Sequence, residues 1–125
     1  MILADTSIWI DHLRNANGPL TLLLHNDMIC CHPWVVGELA CGHLKQRENI
    51  LDLLRALPTL MPATENEVLH FIELRRLMGR GIGYIDAHLL AACTLHTAKI
   101  WTDDKRLMAV SAEVGLAYRP TLHSS

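Results

Sequence analysis

Four segments of this 125-residue chain set an acidic residue into or beside an apolar pattern. Asp5 closes the run "MILAD". Glu38 lies in "WVVGELACG", where Trp34, Val35, Leu39 and Gly42 share its side at helical spacing, which predicts a core-facing carboxylate. Asp86 interrupts a stripe of Ile82, Ile85, Leu89, Leu90 and Cys93, and Asp103 and Asp104 follow "KIWT". Taken singly, each has a plain structural account. Asp5, Thr6 or Ser7 can cap a helix, and so can either member of the Asp103–Asp104 pair. A buried ion pair or a hydrogen-bonded polar plug accounts for Glu38 and Asp86, although His88 does not face Asp86, two positions away on a helix.

The set points to different chemistry. An isolated buried carboxylate is costly to ionise, so it must be paired, protonated or bound to a cation. Several carboxylates gathered with no basic side chain to pair them repel one another, and a hard divalent cation resolves the repulsion. Mg²⁺ or Mn²⁺ favours oxygen ligands, keeps several waters and binds through few carboxylates together with substrate phosphates. Such ions activate water and stabilise a leaving oxygen in phosphodiester cleavage.

The elements that must position these acids follow from apolar periodicity. "MILAD", "MICCH" and "KIWT" read as short buried strands, with further short strands at "TLMPA" and "LAY". Helices are predicted in "SIWIDHLRN", "LTLLLHN", "WVVGELACGHL", "QRENILDLLRAL", "TENEVLHFIELRRLMGRG", "YIDAHLLAACTLHT" and "DDKRLMAVSAEVG". Pro33 suits a first helical position, Thr64 and Glu67 have capping-box spacing, and Gly79, Gly81 and Gly83 break one helix from the next. Alternating strands and helices imply crossover units and a mostly parallel sheet covered on both faces. Asp5 and the Asp103–Asp104 pair then end two strands on one edge, where ligands bind in open parallel sheets, and Glu38 and Asp86 can point to that edge from flanking helices.

Composition constrains the rest. Half the residues are hydrophobic and 19% are charged, as expected of a folded body. The net charge of -2 announces no basic nucleic-acid surface, a point against a polyanion partner that shrinks if bound ions neutralise clustered acids. Cys30, Cys31, Cys41 and Cys93 form no secreted disulfide pattern. No targeting segment or bilayer-spanning run is visible, so a soluble cytoplasmic protein is expected. Cys30, Cys31, His32, Cys41 and His43 do not match a structural zinc spacing. The histidines lack a recognisable nucleophile elbow, and Arg75, Arg76 and Arg80 read as a solvated helix end.

At the acidic segments the chain resembles PIN-domain proteins, and more narrowly the VapC toxins of bacterial type II toxin–antitoxin pairs. The matching segments are "ILADTSIWIDHLR", "VVGELACG", "GRGIGYIDAHLLAA" and "IWTDDKRL", in family order along the chain. The resemblance implies an α/β class, a three-layer α/β/α sandwich with a mostly parallel central sheet, as a single unit over residues 1–125. It implies an endoribonuclease dependent on Mg²⁺ or Mn²⁺ with Asp5, Glu38, Asp86 and Asp104 as its acidic quartet. Asp104 is preferred because the family places its acid three residues before an apolar residue, here Leu107, while the doublet leaves Asp103 as the alternative. Thr102 matches a supporting hydroxyl residue.

The resemblance also implies a homodimer and a hetero-oligomer with a cognate VapB antitoxin, which covers the active site and carries the operator-DNA binding. On that resemblance, Asp5, Asp86 and Asp104 are expected to ligate ions and Glu38 to ligate or orient the attacking water. Two other readings are a non-catalytic PIN-like protein-binding module and a metal-dependent DNA nuclease. The intact acids count against the first, and the absence of a duplex-binding extension counts against the second.

Overall fold

The structure, a computed structural model, describes residues 1–120, so the last five positions of the expected 1–125 unit lie outside the described residues. Three strands, β1 (Ile2–Ala4), β2 (Ile29–Cys30) and β3 (Lys99–Trp101), form an all-parallel sheet in the order β2-β1-β3. Single parallel bridges extend it on either side, Cys31 with Thr59 and Ile100 with Ala117. The strands expected at "TLMPA" and "LAY" are therefore reduced to one bridging residue each, although Leu60 N–H donates to Cys31 O and Tyr118 N–H to Ile100 O at 2.9 and 2.8 Å. The apolar strands are buried because helices cover both faces.

Seven helices complete the described chain: α1 (Thr6–Asn15), α2 (Gly18–His25), α3 (Pro33–Ala40), α4 (Arg47–Ala56), α5 (Glu65–Arg75), α6 (Tyr84–Leu95) and α7 (Lys105–Glu113). From β1 the chain steps outward to β2 and Thr59, then crosses back to β3 and outward to Ala117. Right-handed crossovers put the connections before Thr59 on one face and those after it on the other. The packing agrees, with α1 against α3, α3 against α4, and α5 against α6. The direction reverses between β1 and β3, so the crevice at their carboxyl ends is the expected ligand position.

Helix ends differ from the sequence reading for local reasons. The third helix stops at Ala40 rather than Leu44, and the Arg47 guanidinium caps it by donating to Ala40 O and Gly42 O. The helix predicted through "LMGRG" ends at Arg75, because Arg76 takes a left-handed conformation at φ 54°. The Thr64–Glu67 capping box is present, each residue donating its backbone N–H to the other's side chain.

His32 is completely buried as the N-cap of α3, with Nδ1 accepting from Trp34 N–H at 3.0 Å. That acceptor role leaves the proton on Nε2, which finds no partner among the described residues. Burial, reinforced by nearby His88, depresses the His32 pKa from 6.5 to about 4. The folded chain thus keeps this ring neutral where the unfolded chain protonates it. Stability should fall as pH drops from 6.5 toward 4, by at most about 3 kcal/mol from this group. His32→Asn keeps a capping acceptor and removes the titration. Chemical denaturation across that window should give the variant a flatter acid limb than the wild type, and coincident slopes would remove His32 as the cause.

Candidate metal centre

The acidic edge is assembled from three helix starts. Asp5 caps α1, its Oδ1 accepting from Ile8 N–H at 3.2 Å. Asp104 caps α7, its Oδ1 accepting from Leu107 N–H at 3.0 Å. Asp86 lies in the first turn of α6, its Oδ2 accepting from Gly83 N–H at 3.1 Å. The capping account and the chemical account of these aspartates therefore coincide. Each carboxylate meets unpaired amides at the positive end of a helix, which lowers the cost of an acidic cluster.

Asp5 is the anchor. Its backbone N–H donates to Trp101 O at 3.0 Å, extending the β1–β3 ladder, and its side chain is 6% exposed. Ser7 Oγ donates to Oδ1, and Thr102 Oγ1 donates to Oδ2 in a very short hydrogen bond. Each hydroxyl has one proton and spends it on the carboxylate, leaving oxygen lone pairs for amides. Ser7 Oγ accepts from Asp103 N–H at 2.9 Å and Thr102 Oγ1 from Asp104 N–H at 3.0 Å. The turn after β3 is thereby fixed to Asp5. Thr102, named in the sequence reading as a supporting hydroxyl, is buried against Asp5. Ser7, expected only as an alternative cap, bridges Asp5 to the backbone of Asp103, and the "DTS" triplet was its sole sequence signal.

The helix starts at Tyr84, where the sequence reading started it, so Asp86 falls in its first turn, half-buried, while Ile82 of its apolar stripe precedes α6. One expectation needs correction: Glu38 is exposed rather than core-facing. It points into an open cleft, where Thr6 Oγ1 donates to Oε1 at 2.7 Å. Helical spacing placed it correctly beside Val35 and Leu39, but those two are buried under neighbours that leave the crevice side of α3 uncovered.

Asp86 registers the whole set. Its pKa is raised, first by burial and then by the charges of Asp104, Asp5 and Glu38, against the lowering bond from Gly83 N–H. Burial likewise raises Asp5, opposed by its bonds from Ser7, Thr102 and Ile8. The four acids thus share one region. Asp103 is exposed and does not figure among the charges acting on Asp86. Among the described residues the two ion pairs, Arg55–Asp52 and Arg80–Glu113, leave the quartet unpaired.

The flanking helix starts are braced. Trp34 stacks on His88 with ring centroids 4.0 Å apart, and Tyr84 meets the same ring edge-on at 4.7 Å. This locks the beginnings of α3 and α6 together, one turn from Glu38 and beside Asp86. On the other side Arg80 makes a bidentate pair with Glu113 at 2.7 and 2.8 Å, tying the loop before α6 to the end of α7. Gly81, at φ +80°, lies under Arg106, where an added Cβ would come within 2.6 Å of its Cδ.

The donor set fits a hydrated hard cation. Asp86 Oδ1 and Asp104 Oδ2 make no hydrogen bond among the described residues, and four carboxylates stand without a basic partner. No three His, Cys, Asp or Glu groups among the described residues already converge as a closed ligand cage. Mg²⁺ and Mn²⁺ require no such cage, since one or two carboxylates with water complete their shell.

Comparison with known proteins places the chain in a family. A model of the PIN domain matches residues 2–113. The chain is 51% identical over 118 residues to Ribonuclease VapC32 of Mycobacterium tuberculosis, in both strain CDC 1551 / Oshkosh and strain ATCC 25618 / H37Rv, covering 94% of this chain and 95% of the relative. Among solved structures, FitAcB from Neisseria gonorrhoeae superposes with TM-score 0.62 at 17% identity, covering 90% of this chain and 94% of that one. FitAB bound to an IR36 DNA fragment gives TM-score 0.65 at 14% identity over the full length of both chains. PAE2754 from Pyrobaculum aerophilum gives 0.55 at 16% identity, covering 87% and 83%. These structural likenesses show the fold.

Repulsion within the quartet has a stability consequence. Asp86→Asn keeps an acceptor for Gly83 N–H while removing one of the clustered charges, and should stabilise the metal-free protein by about 1 kcal/mol. Thermal melts in EDTA and in Mn²⁺ should show a higher EDTA midpoint for the variant and a Mn²⁺-induced rise confined to the wild type. A destabilised variant that still responds to Mn²⁺ would assign Asp86 a purely structural role.

Proposed function

Since the chain belongs to the PIN-domain family and within it to the VapC ribonucleases, we propose that it is a toxin of that class: a Mg²⁺- or Mn²⁺-dependent endoribonuclease held inactive by a VapB-type antitoxin. The observation that carries this reading is the shared electrostatic region of Asp5, Glu38, Asp86 and Asp104 at the carboxyl edge of the sheet. A bound divalent ion would supply charge neutralisation for the scissile phosphate and acidify an attacking water. Asp5, Asp86 and Asp104 would hold it.

The protein's own groups divide the remaining work. Ser7 and Thr102 keep Asp5 ionised and aimed by donating to both of its oxygens. Glu38, exposed and steadied through Thr6, orients the attacking water and accepts its proton. In-line hydrolysis then leaves a 5′-phosphate on one product. Asp104 is the fourth acid, because its charge acts on Asp86, while Asp103 supports the turn through its backbone.

The whole chain acts as one PIN unit in the cytoplasm. No helix among the described residues is long and apolar enough to cross a membrane, and the four cysteines are free. A homodimer is proposed on the α5–α6 side, where Leu69, Leu74, Met78 and Tyr84 are exposed. The antitoxin completes a hetero-oligomer and carries the operator-DNA contact, a reading supported by the FitAB neighbour's DNA-bound assembly.

Purified, antitoxin-free protein incubated with total cellular RNA should produce a few discrete new 5′ ends in Mg²⁺ or Mn²⁺ and none in EDTA. Asp5→Asn, Asp86→Asn and Asp104→Asn should each lower the rate by at least about 100-fold with the fold retained, while Asp103→Asn stays within about tenfold. Equal cleavage of matched single-stranded DNA would replace the ribonuclease assignment with a general nuclease. Metal binding without cleavage of any RNA would favour a binding module.

A further inference from the structure

The quartet opens into a cleft of about 470 Å³ that begins at Glu38 and follows α1. Its floor is aliphatic, formed by Ile10 and Leu13 of α1 with Leu39 and Leu44. Ile10 and Leu13 remain 38% and 37% exposed, so nothing among the described residues covers that floor. Its rim is basic, formed by Arg14, His43 and Lys45. None of these three makes a side-chain hydrogen bond or an ion pair within the described residues, in contrast to Arg47, Arg80 and Lys99.

We propose that this cleft is a nucleotide subsite: it receives the single-stranded RNA segment adjoining the scissile phosphodiester, with the base on the aliphatic floor and Arg14 and Lys45 on the backbone phosphate. The proposal rests on the ribonuclease reading of the quartet. Three features carry it. A strand whose phosphodiester lies at the quartet must leave it, and this cleft has a quartet member, Glu38, in its wall.

The dimensions suit a strand of more than one nucleotide, since Arg14 stands eight residues beyond Thr6, about 12 Å along the axis of α1, and Thr6 is the residue bonded to Glu38. Charge also discriminates between routes. The second cavity touching the site, about 510 Å³ beside Thr102, sets Asp11 and Asp103 against the one cation Arg119, whereas the first sets Glu38 alone against Arg14 and Lys45. An open cleft with one apolar floor takes an unpaired base, and a duplex would keep its bases stacked away from it.

The test uses full-length protein and an RNA that the wild type cleaves. Initial rates in Mg²⁺ or Mn²⁺ at several salt concentrations give kcat and KM for wild type and for Arg14→Ala/Lys45→Ala. A control double, Arg55→Ala/Arg75→Ala, has the same charge change on α4 and α5. Melting curves establish that each variant folds. The cleft double should raise KM about tenfold beyond the control and lower the slope of log(kcat/KM) against log[salt] by about 1.4, as two lost single-strand phosphate contacts require.

A KM and slope matching the control, from a wild type that cleaves, would overturn the subsite and leave the ribonuclease reading standing. The same result with loss of inhibition by a copurifying protein partner would make the cleft a protein-docking site. A folded wild type that cuts no RNA with either metal would remove the parent reading, and this one with it.

Discussion

Burial of acids at the crevice between β1 and β3 is the constraint that organises this molecule. Burial pushes Asp5 and Asp86 toward their neutral forms, and at Asp86 the charges of Asp104, Asp5 and Glu38 push the same way. The fold offsets that cost with backbone rather than with basic side chains. Asp5, Asp86 and Asp104 each accept an amide N–H at the start of a different helix. Lysine or arginine partners would have satisfied the charges more fully, and would have filled the positions a cation needs. Helix starts give partial compensation and leave oxygen atoms free, so tolerance of the cluster and its reactivity share one cause.

The same economy explains how much the sequence disclosed. That Asp5 and the Asp103–Asp104 pair end neighbouring strands was legible because apolar runs ending in acids mark strand ends, and a parallel sheet places those ends together. The start of the helix that carries Asp86 was legible because Gly79, Gly81 and Gly83 interrupt the apolar periodicity before Tyr84. Glu38 was misread. Its neighbours at helical spacing are core residues, but the periodicity of one helix does not reveal where adjoining elements stop covering it. The bridging role of Ser7 and the Trp34–Tyr84–His88 contact depend on partners up to 96 residues away, which the "DTS" triplet and the helix patterns do not reveal.

Rigidity is distributed to match. Ser7 and Thr102 spend their single protons on Asp5 and accept the amides of Asp103 and Asp104, so the carboxylate and the turn cannot move independently. The stacked rings between α3 and α6 hold Glu38 and Asp86 in register, and Arg80 with Glu113 secures the loop behind Asp86 from the other side. That last pair is solvent-accessible, where screening and side-chain entropy leave an ion pair little net stabilisation. Its value is geometric, because a bidentate fork fixes orientation as well as distance.

A chain with net charge -2 is a poor polyanion receptor by composition alone. The structure separates the charges that composition averages. The acids that dominate the crevice are those a divalent ion would neutralise, while Arg14, His43 and Lys45 stand free along the adjoining cleft. Without an ion, the quartet repels phosphate at the point where the cleft would deliver it. An ion would weaken that repulsion, so that on the proposed reading the cleft and the crevice would act as one path. Affinity for RNA and competence to cut it would then both depend on occupancy of the same carboxylates, which net charge counts as permanent.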